Sequence, residues 1–186
     1  MKAAEEVALP FGHVGTRFGA TDVDYPTHGG ANAALLVSAS ADFATIDEQH
    51  TSRLEHVADY VPGRFYEREL PAIEAVLANA DPLDVLIIDG YVDLDPTGRA
   101  GLGQRVWEAG LAPAVIGVAK TRFRAATHAT PVLRGISTKA LYVTAAGMSQ
   151  EEATDLVRAM AGDARIPDAL RLVDRLARGS APADWI

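Results

Sequence analysis

Two short, unbroken apolar runs constrain this chain more than any other feature. Val85-Leu-Ile-Ile88 and Ala114-Val-Ile-Gly-Val118 contain no polar side chain. Runs of this β-branched type suit strands covered on both faces, the usual environment of parallel strands. The segment between them, Leu102–Ala109, reads as a helix, so the pair forms a strand–helix–strand unit. The first run leads directly into Asp89-Gly90. Sheets of this kind place their sites at the carboxyl ends of parallel strands, so Asp89 is marked out at once.

The chain before this unit reads differently. A strand at Arg17–Tyr25 meets the turn cluster Pro26-Thr-His-Gly-Gly30, and a second strand follows at Ala31–Ala39. A charged, alternating stretch at Thr45–Ala58 supplies a third, and the short connections favour an antiparallel meander. After Pro62-Gly63, the residues Leu70, Ile73, Val76, Leu77 and Ala80 fall at helical spacing and predict an amphipathic helix over Glu69–Ala80. Beyond the second apolar run lies a hairpin-like region, Arg122–Val143, broken at Pro131 and Gly135. Ser149 and Glu152 form a capping box for a helix over Gln150–Ala161. Pro167 suits the first turn of a last helix that closes near Gly179. The expected class is α/β: one mixed sheet flanked by helices, with three antiparallel strands followed by alternating helix and strand. No repeat or linker divides the sequence, so 1–186 is expected to form a single domain.

Composition narrows the chemistry. With 48% apolar residues the chain can build a sizeable core, and no run approaches the roughly 18 apolar residues of a membrane span. Lys2, Glu5, Glu6 and Pro10 interrupt the pattern of a secretory signal. The absence of cysteine excludes disulfides, Fe–S clusters and thiolate zinc sites, so a cytoplasmic location is expected. The net charge of −8 counts against broad, nonspecific affinity for nucleic acid. Against that stands a local basic stripe, Lys120-Thr-Arg-Phe-Arg124, followed by Arg134 and Lys139. It fits a nucleic-acid contact and the solvated face of an edge strand about equally well.

Several acids carry candidate chemistry. Asp22 and Asp24 share one face of the first strand by period-2 alternation. Aspartate is depleted in strands, although Asp24 also suits the start of the turn at Pro26. Asp89 is open to both a ligand and a turn reading, with Gly90 allowing close approach. Glu69 sits at a helix start, where the macrodipole stabilises a carboxylate with or without a ligand. Converging carboxylates without cysteine or clustered histidine favour Mg²⁺ or Mn²⁺ over zinc. The histidines His13, His28, His50, His56 and His128 are scattered, and no Walker-type phosphate loop occurs.

Taken together, these segments resemble the endonuclease V family, nucleases that act on nucleic acid containing deaminated purines, chiefly inosine. Tyr60-Val-Pro-Gly63 with Arg68-Glu69 is similar to the family's Tyr-Ile-Pro-Gly and Arg-Glu segment. Asp84–Gly90 resembles its Pro-Asp-Leu-Leu-Leu-Val-Asp-Gly strand, and Val115–Lys120 its Thr-Ile-Gly-Val-Ala-Lys. Arg165–Asp174 resembles its closing Arg-Leu-Pro-Glu-Pro-Leu-Arg-Leu-Ala-Asp. The match runs in order from about Ala20 to Arg178.

The resemblance implies a ribonuclease H-like fold, with which the element order is compatible, and an endonuclease dependent on Mg²⁺ or Mn²⁺. It implies DNA or RNA containing inosine as partner, and a repair role. By motif position, Asp22, Glu69 and Asp89 would bind metal, and Lys120 would stand near the scissile phosphate. Tyr60, Val61, Pro62 and Gly63 would form a strand-separating wedge, and Arg68, Gly90 and Tyr91 would also contact substrate. The sequence departs from the pattern after Gly90, where Tyr91-Val92 replaces a His/Gln-Gly pair and Asp95 replaces a histidine. Asp24, Asp93 and Asp95 are candidate additional acids there. Gly147-Met148 stands for the family's Gly-His, whose histidine would lie beside the metals. A weakened homologue that binds nucleic acid or a nucleotide without cleaving is the alternative expectation.

Overall fold

The computed structural model describes residues 15–59, 61 and 64–180. Its sheet grows outward from the two apolar runs. These become β4 (Val85–Asp89) and β5 (Ala114–Ala119), which pair in parallel. Strand β1 (Phe18–Asp24) pairs in parallel with β4 on the other side. The meander expected from the first third is present: β2 (Ala31–Ser38) and β3 (Glu48–Leu54) follow β1 in antiparallel register. At the opposite edge β6 (Thr130–Val132) and β7 (Leu141–Ala146) form the expected hairpin, and β7 pairs antiparallel with β5. The seven strands run in the order β3-β2-β1-β4-β5-β7-β6.

The apolar runs are solid because both faces of the sheet are covered. Val85 and Ile87 of β4 face one way, into a core completed by α3 (Gln150–Ala159) and α4 (Asp168–Ala177). Leu86 and Ile88 face the other way, against α1 (Tyr66–Leu77) and α2 (Leu102–Glu108). Every residue of β5 is buried. Edge strand β3 alternates between exposed and half-buried positions instead.

Helix α1 begins and ends three residues earlier than the apolar spacing suggests. Pro71, which by itself favours a first turn, stands inside the helix with its ring exposed. The extra turn is anchored by aromatic contacts: the Phe65 ring lies 6.2 Å from that of Tyr25, and the Arg105 guanidinium is 5.0 Å from the Tyr66 ring centre. The Ser149–Glu152 capping box is formed in full, and Pro167 stands at the N-cap position of α4, one residue before the first turn that the sequence suggests. Among the described residues no helix is long and apolar enough to cross a membrane.

Candidate functional site

Strand periodicity gathers the acids. Alternation that points Phe18 and Ala20 into the α3/α4 core continues to Asp22 and Asp24 as β1 leaves it. In β4, Val85 and Ile87 lead in the same way to Asp89. In β5, Ala114, Ile116 and Val118 lead to Lys120, one residue past the strand. Asp22, Asp89 and Lys120 therefore line one pocket at the carboxyl ends of three adjacent parallel strands, with Leu170 and Val173 of α4 as its roof. Lys120 Nζ donates to Asp89 Oδ2 at 2.6 Å. The space left between these groups is about 10 Å³, close to the roughly 10–15 Å³ that one water needs.

The electrostatics show excess negative charge. Burial raises the Asp22 carboxyl to about 7, helped by the charges of Asp89 and Asp174 and opposed by the Val23 N–H and Lys120. Glu69, which is 8% exposed, rises to about 8 through burial and then through Asp22 and Asp89. Burial pulls the Lys120 ammonium down, but Asp89, Asp22 and Asp174 outweigh it and raise it overall. Glu69 reaches this group from the first turns of α1, across the strand ends. It shares with Asp89 a second cleft of about 200 Å³, lined also by Phe65, Tyr66, Gly90, Tyr91 and Leu102. Gly90 has φ +132°, a conformation that a side chain would strain.

Asp174 is the acid that the sequence did not single out. Its carboxylate acts on both Asp22 and Lys120 from α4, and its own partner is Arg178 at 3.0 Å. A usable signal was present: an acid beside Val173 interrupts the apolar face of a helix whose interior disfavours aspartate.

The remaining expected residues separate into groups. Tyr60, Pro62 and Gly63 lie outside the described residues, while Val61 is exposed. The Arg68 guanidinium stacks 4.4 Å from the Tyr25 ring centre, beside Glu69 in sequence. Asp24 acts on Arg178. Asp95 is taken up by its own turn, accepting from Thr97 N at 3.0 Å and Thr97 Oγ1 at 2.6 Å and pairing with Arg99 at 3.2 Å. Burial raises the Asp93 carboxyl, and the nearby charge of His128 opposes the rise. Tyr91 is 9% exposed; its hydroxyl donates to Thr121 O at 2.8 Å and accepts from Phe123 N at 2.9 Å. Val92 is core, and its N–H donates to Thr144 Oγ1 at 2.8 Å.

Three expectations are corrected. Met148 does not stand beside the acids. Ala146 pairs with Val115 at the start of β5, so the residues after β7 lie at the opposite end of the sheet from Asp89 and Lys120. A Cβ on neighbouring Gly147 would meet Pro113 O at 2.0 Å, which places that backbone at the same far end. Arg134 is no part of a basic stripe. It is 6% exposed, and its guanidinium donates to Val157 O at 2.8 Å, Met160 O at 2.7 Å and Gly162 O at 2.7 Å, closing the end of α3. The edge-strand reading of 120–124 also falls, since the segment forms a loop after β5.

The donor set suits a hard cation in chemistry. The acids offer oxygen ligands only, and burial without compensation raises two of them. As placed, no group of three or more His, Asp or Glu among the described residues is gathered closely enough to hold a metal ion. Lys120 occupies Asp89 in that arrangement.

A family model described as endonuclease V matches residues 9–146. No curated protein matches the sequence. Among solved structures, Ciona intestinalis endonuclease V in complex with a 24mer DNA containing an inosine followed by a ribo-adenosine superposes with a TM-score of 0.74. The two sequences are 19% identical over 88% of this chain and 85% of that one. Human ENDOV gives a TM-score of 0.72 at 23% identity, covering 91% of this chain and 86% of that one. The Streptomyces avermitilis endonuclease V gives 0.72 at 25%, covering 89% and 82%. The sheet and its flanking helices thus follow the ribonuclease H-like arrangement of these structures.

Proposed function

This chain belongs to the endonuclease V family, and we propose that it is a divalent-metal-dependent endonuclease cleaving nucleic acid close to inosine. The observation that carries this reading is the pocket where Asp22, Asp89 and Lys120 meet, with Glu69 and Asp174 acting on it. Asp22, Asp89, Glu69 and Asp174 would hold Mg²⁺ or Mn²⁺, which when bound supplies charge neutralisation and an activated water for phosphodiester hydrolysis. Attack at phosphorus breaks the bond to the 3′ oxygen, which leaves as a hydroxyl.

The chain's own groups do the rest. Lys120 places a cation where negative charge builds on the phosphoryl oxygens. Its raised affinity for its proton keeps it charged throughout the neutral range. The cleft between Phe65, Tyr66, Tyr91 and Leu102 offers apolar and aromatic walls beside the acids, suited to an unstacked purine. Val61, with Tyr60, Pro62 and Gly63, lies just before the helix that carries Glu69 and would separate strands there. Gly90 lines the same cleft, and Arg68 stands beside Glu69 on that helix. A repair role would follow from a nick that opens the strand beside the deaminated base for its later replacement.

A binding-only homologue is the second reading, favoured by the hydrogen bond that engages Asp89 with Lys120. Labelled DNA and RNA strands carrying inosine, uracil or no modified base, incubated with Mg²⁺ or Mn²⁺, separate the two. Nicking near inosine that Asp89→Asn abolishes supports the enzyme. Binding without nicking at high protein and either metal supports the rival.

A further inference from the structure

This acidic chain pairs off its surface cations almost everywhere. Exposed Arg53, Arg99 and Arg178 each meet a carboxylate within 3.2 Å. Exposed Arg64, Arg158 and Arg171 are likewise paired, with Glu67, Asp155 and Asp168. Among the described residues the exposed cations without such a pair are Arg122, Arg124 and Lys139. They are not scattered. Arg122 and Arg124 stand two and four residues after Lys120. The Lys139 segment is bound to the same place by Arg165, whose guanidinium donates to Lys120 O, to Lys139 O at 3.1 Å and to Ala140 O at 2.9 Å.

Between the two arginines stands Phe123, 39% exposed. Its position is set from behind. The Tyr91 hydroxyl holds the backbone at Thr121 and Phe123, and the Tyr91 ring lies 6.2 Å from that of Phe123. The Arg99 guanidinium sits 5.7 Å from the Phe123 ring centre. An exposed ring costs hydration, and this one is braced rather than buried. Unpaired cations around a braced ring have the composition of a single-strand track, where charge follows the backbone and an aromatic face stacks on a base.

We propose that Arg122, Phe123, Arg124 and Lys139 form a nucleic-acid track leading into the acidic pocket, with Phe123 stacking on an unpaired base next to the cleaved linkage. The proposal rests on the nuclease reading and adds to it which strand form is gripped and by what. Tyr91 acts there as a positioning residue: its departure from the family pattern is what ties the 121–123 loop in place.

The test is binding of a fluorescein-labelled, inosine-containing DNA oligonucleotide, single-stranded and duplex, in Ca²⁺ buffer across a salt series, with an RNA of the same sequence in parallel. Each phosphate contact on a single strand contributes about 0.7 to the slope of log affinity against log salt. Arg122→Ala with Arg124→Ala should therefore flatten the slope by about 1.4, while Arg158→Ala leaves it unchanged. Phe123→Ala should weaken single-strand binding roughly tenfold, with less effect on duplex, and Phe123→Trp should restore it. Melting of each variant at the wild-type temperature shows that the fold is intact. Wild-type slopes and affinities in the folded arginine and Phe123 variants would overturn the track while leaving the nuclease reading standing. A wild-type protein that neither binds nor cleaves any strand would overturn both.

Discussion

Strand β4 carries an aspartate at each end, and the two have opposite surroundings. Asp84, just before the strand, accepts the Arg17 backbone N–H at 2.7 Å, so its charge fastens the entrance of β1 to that of β4. Asp89, at the exit, receives no backbone donor and is met by a lysine ammonium, with two more acids nearby that burial raises and its charge raises further. The entrance end is built mainly of matched groups: Trp107 Nε1 donates to Pro113 O at 3.1 Å, and α3 starts there with a closed capping box. The exit end leaves Asp22 and Glu69 short of partners. A buried carboxylate without compensation costs stability, so its retention at one end only points to function there.

The largest effect that sharpens this contrast is at Asp89. Asp89→Asn keeps the shape and removes the charge, and should lower cleavage on the order of a thousandfold, as loss of a transition-state group does, with little change in melting. Asp84→Asn should do the reverse, reducing stability by roughly 1–2 kcal/mol while the folded protein cleaves normally. Paired denaturation and cleavage measurements check both. Equal activity losses at the two ends would break the contrast.

Lys120→Ala should come next, with cleavage reduced on the order of a hundredfold. It also frees Asp89 from its ion pair. Affinity for Mn²⁺, read from the shift in melting temperature, should fall little or rise. A large loss of metal affinity would mean that Lys120 organises the acids instead of serving the substrate.

A smaller effect tests the electrostatics without substrate. Asp22 rises from 3.8 to about 7 and Glu69 from 4.5 to about 8 on folding. For carboxyls raised in this way, the stabilisation is full below about pH 4 and is lost as pH climbs through 7 and 8. Metal-free protein in chelator should therefore melt lower at pH 8 than at pH 6. Asp22→Asn should flatten that profile and gain about 1–2 kcal/mol at pH 8, because a tenfold change in proton affinity is worth about 1.4 kcal/mol and partial exposure reduces it. Mn²⁺ should raise the wild-type melting temperature most at pH 8, where the carboxylates are ionised. A flat chelator profile would remove the case for uncompensated charge.

The sequence made the centre of the sheet legible because burial on both faces demands unbroken apolar runs at β4 and β5. Asp22 is legible as an acid within a strand, Asp89 as one at a strand's end, and Lys120 through the family resemblance; in the structure each continues a strand whose alternation sets its face. Other features depend on what a residue meets far away in sequence. Arg134 looks like any loop arginine until α3 ends against it, and Asp174, although it interrupts the apolar face of α4, gains Asp22 and Lys120 as neighbours only where α4 lies across β1. Asp95 reads as a spare ligand only while its turn partners Thr97 and Arg99 are ignored.

Met148 gives the smallest expected effect and the sharpest use of register. Motif position alone puts it beside the metals, where a histidine would be missed. The pairing of Ala146 with Val115 and of Tyr142 with Ala119 puts it a full strand length away. Met148 instead packs at the edge of the α3/α4 core, just before the Ser149 cap. Met148→His should therefore leave cleavage within about twofold of wild type and cost about 1 kcal/mol or less of stability, as a partly buried apolar contact is lost. A many-fold gain in cleavage would mean that the entrance end takes part in the chemistry, and the division between the two ends of β4 would fail with it.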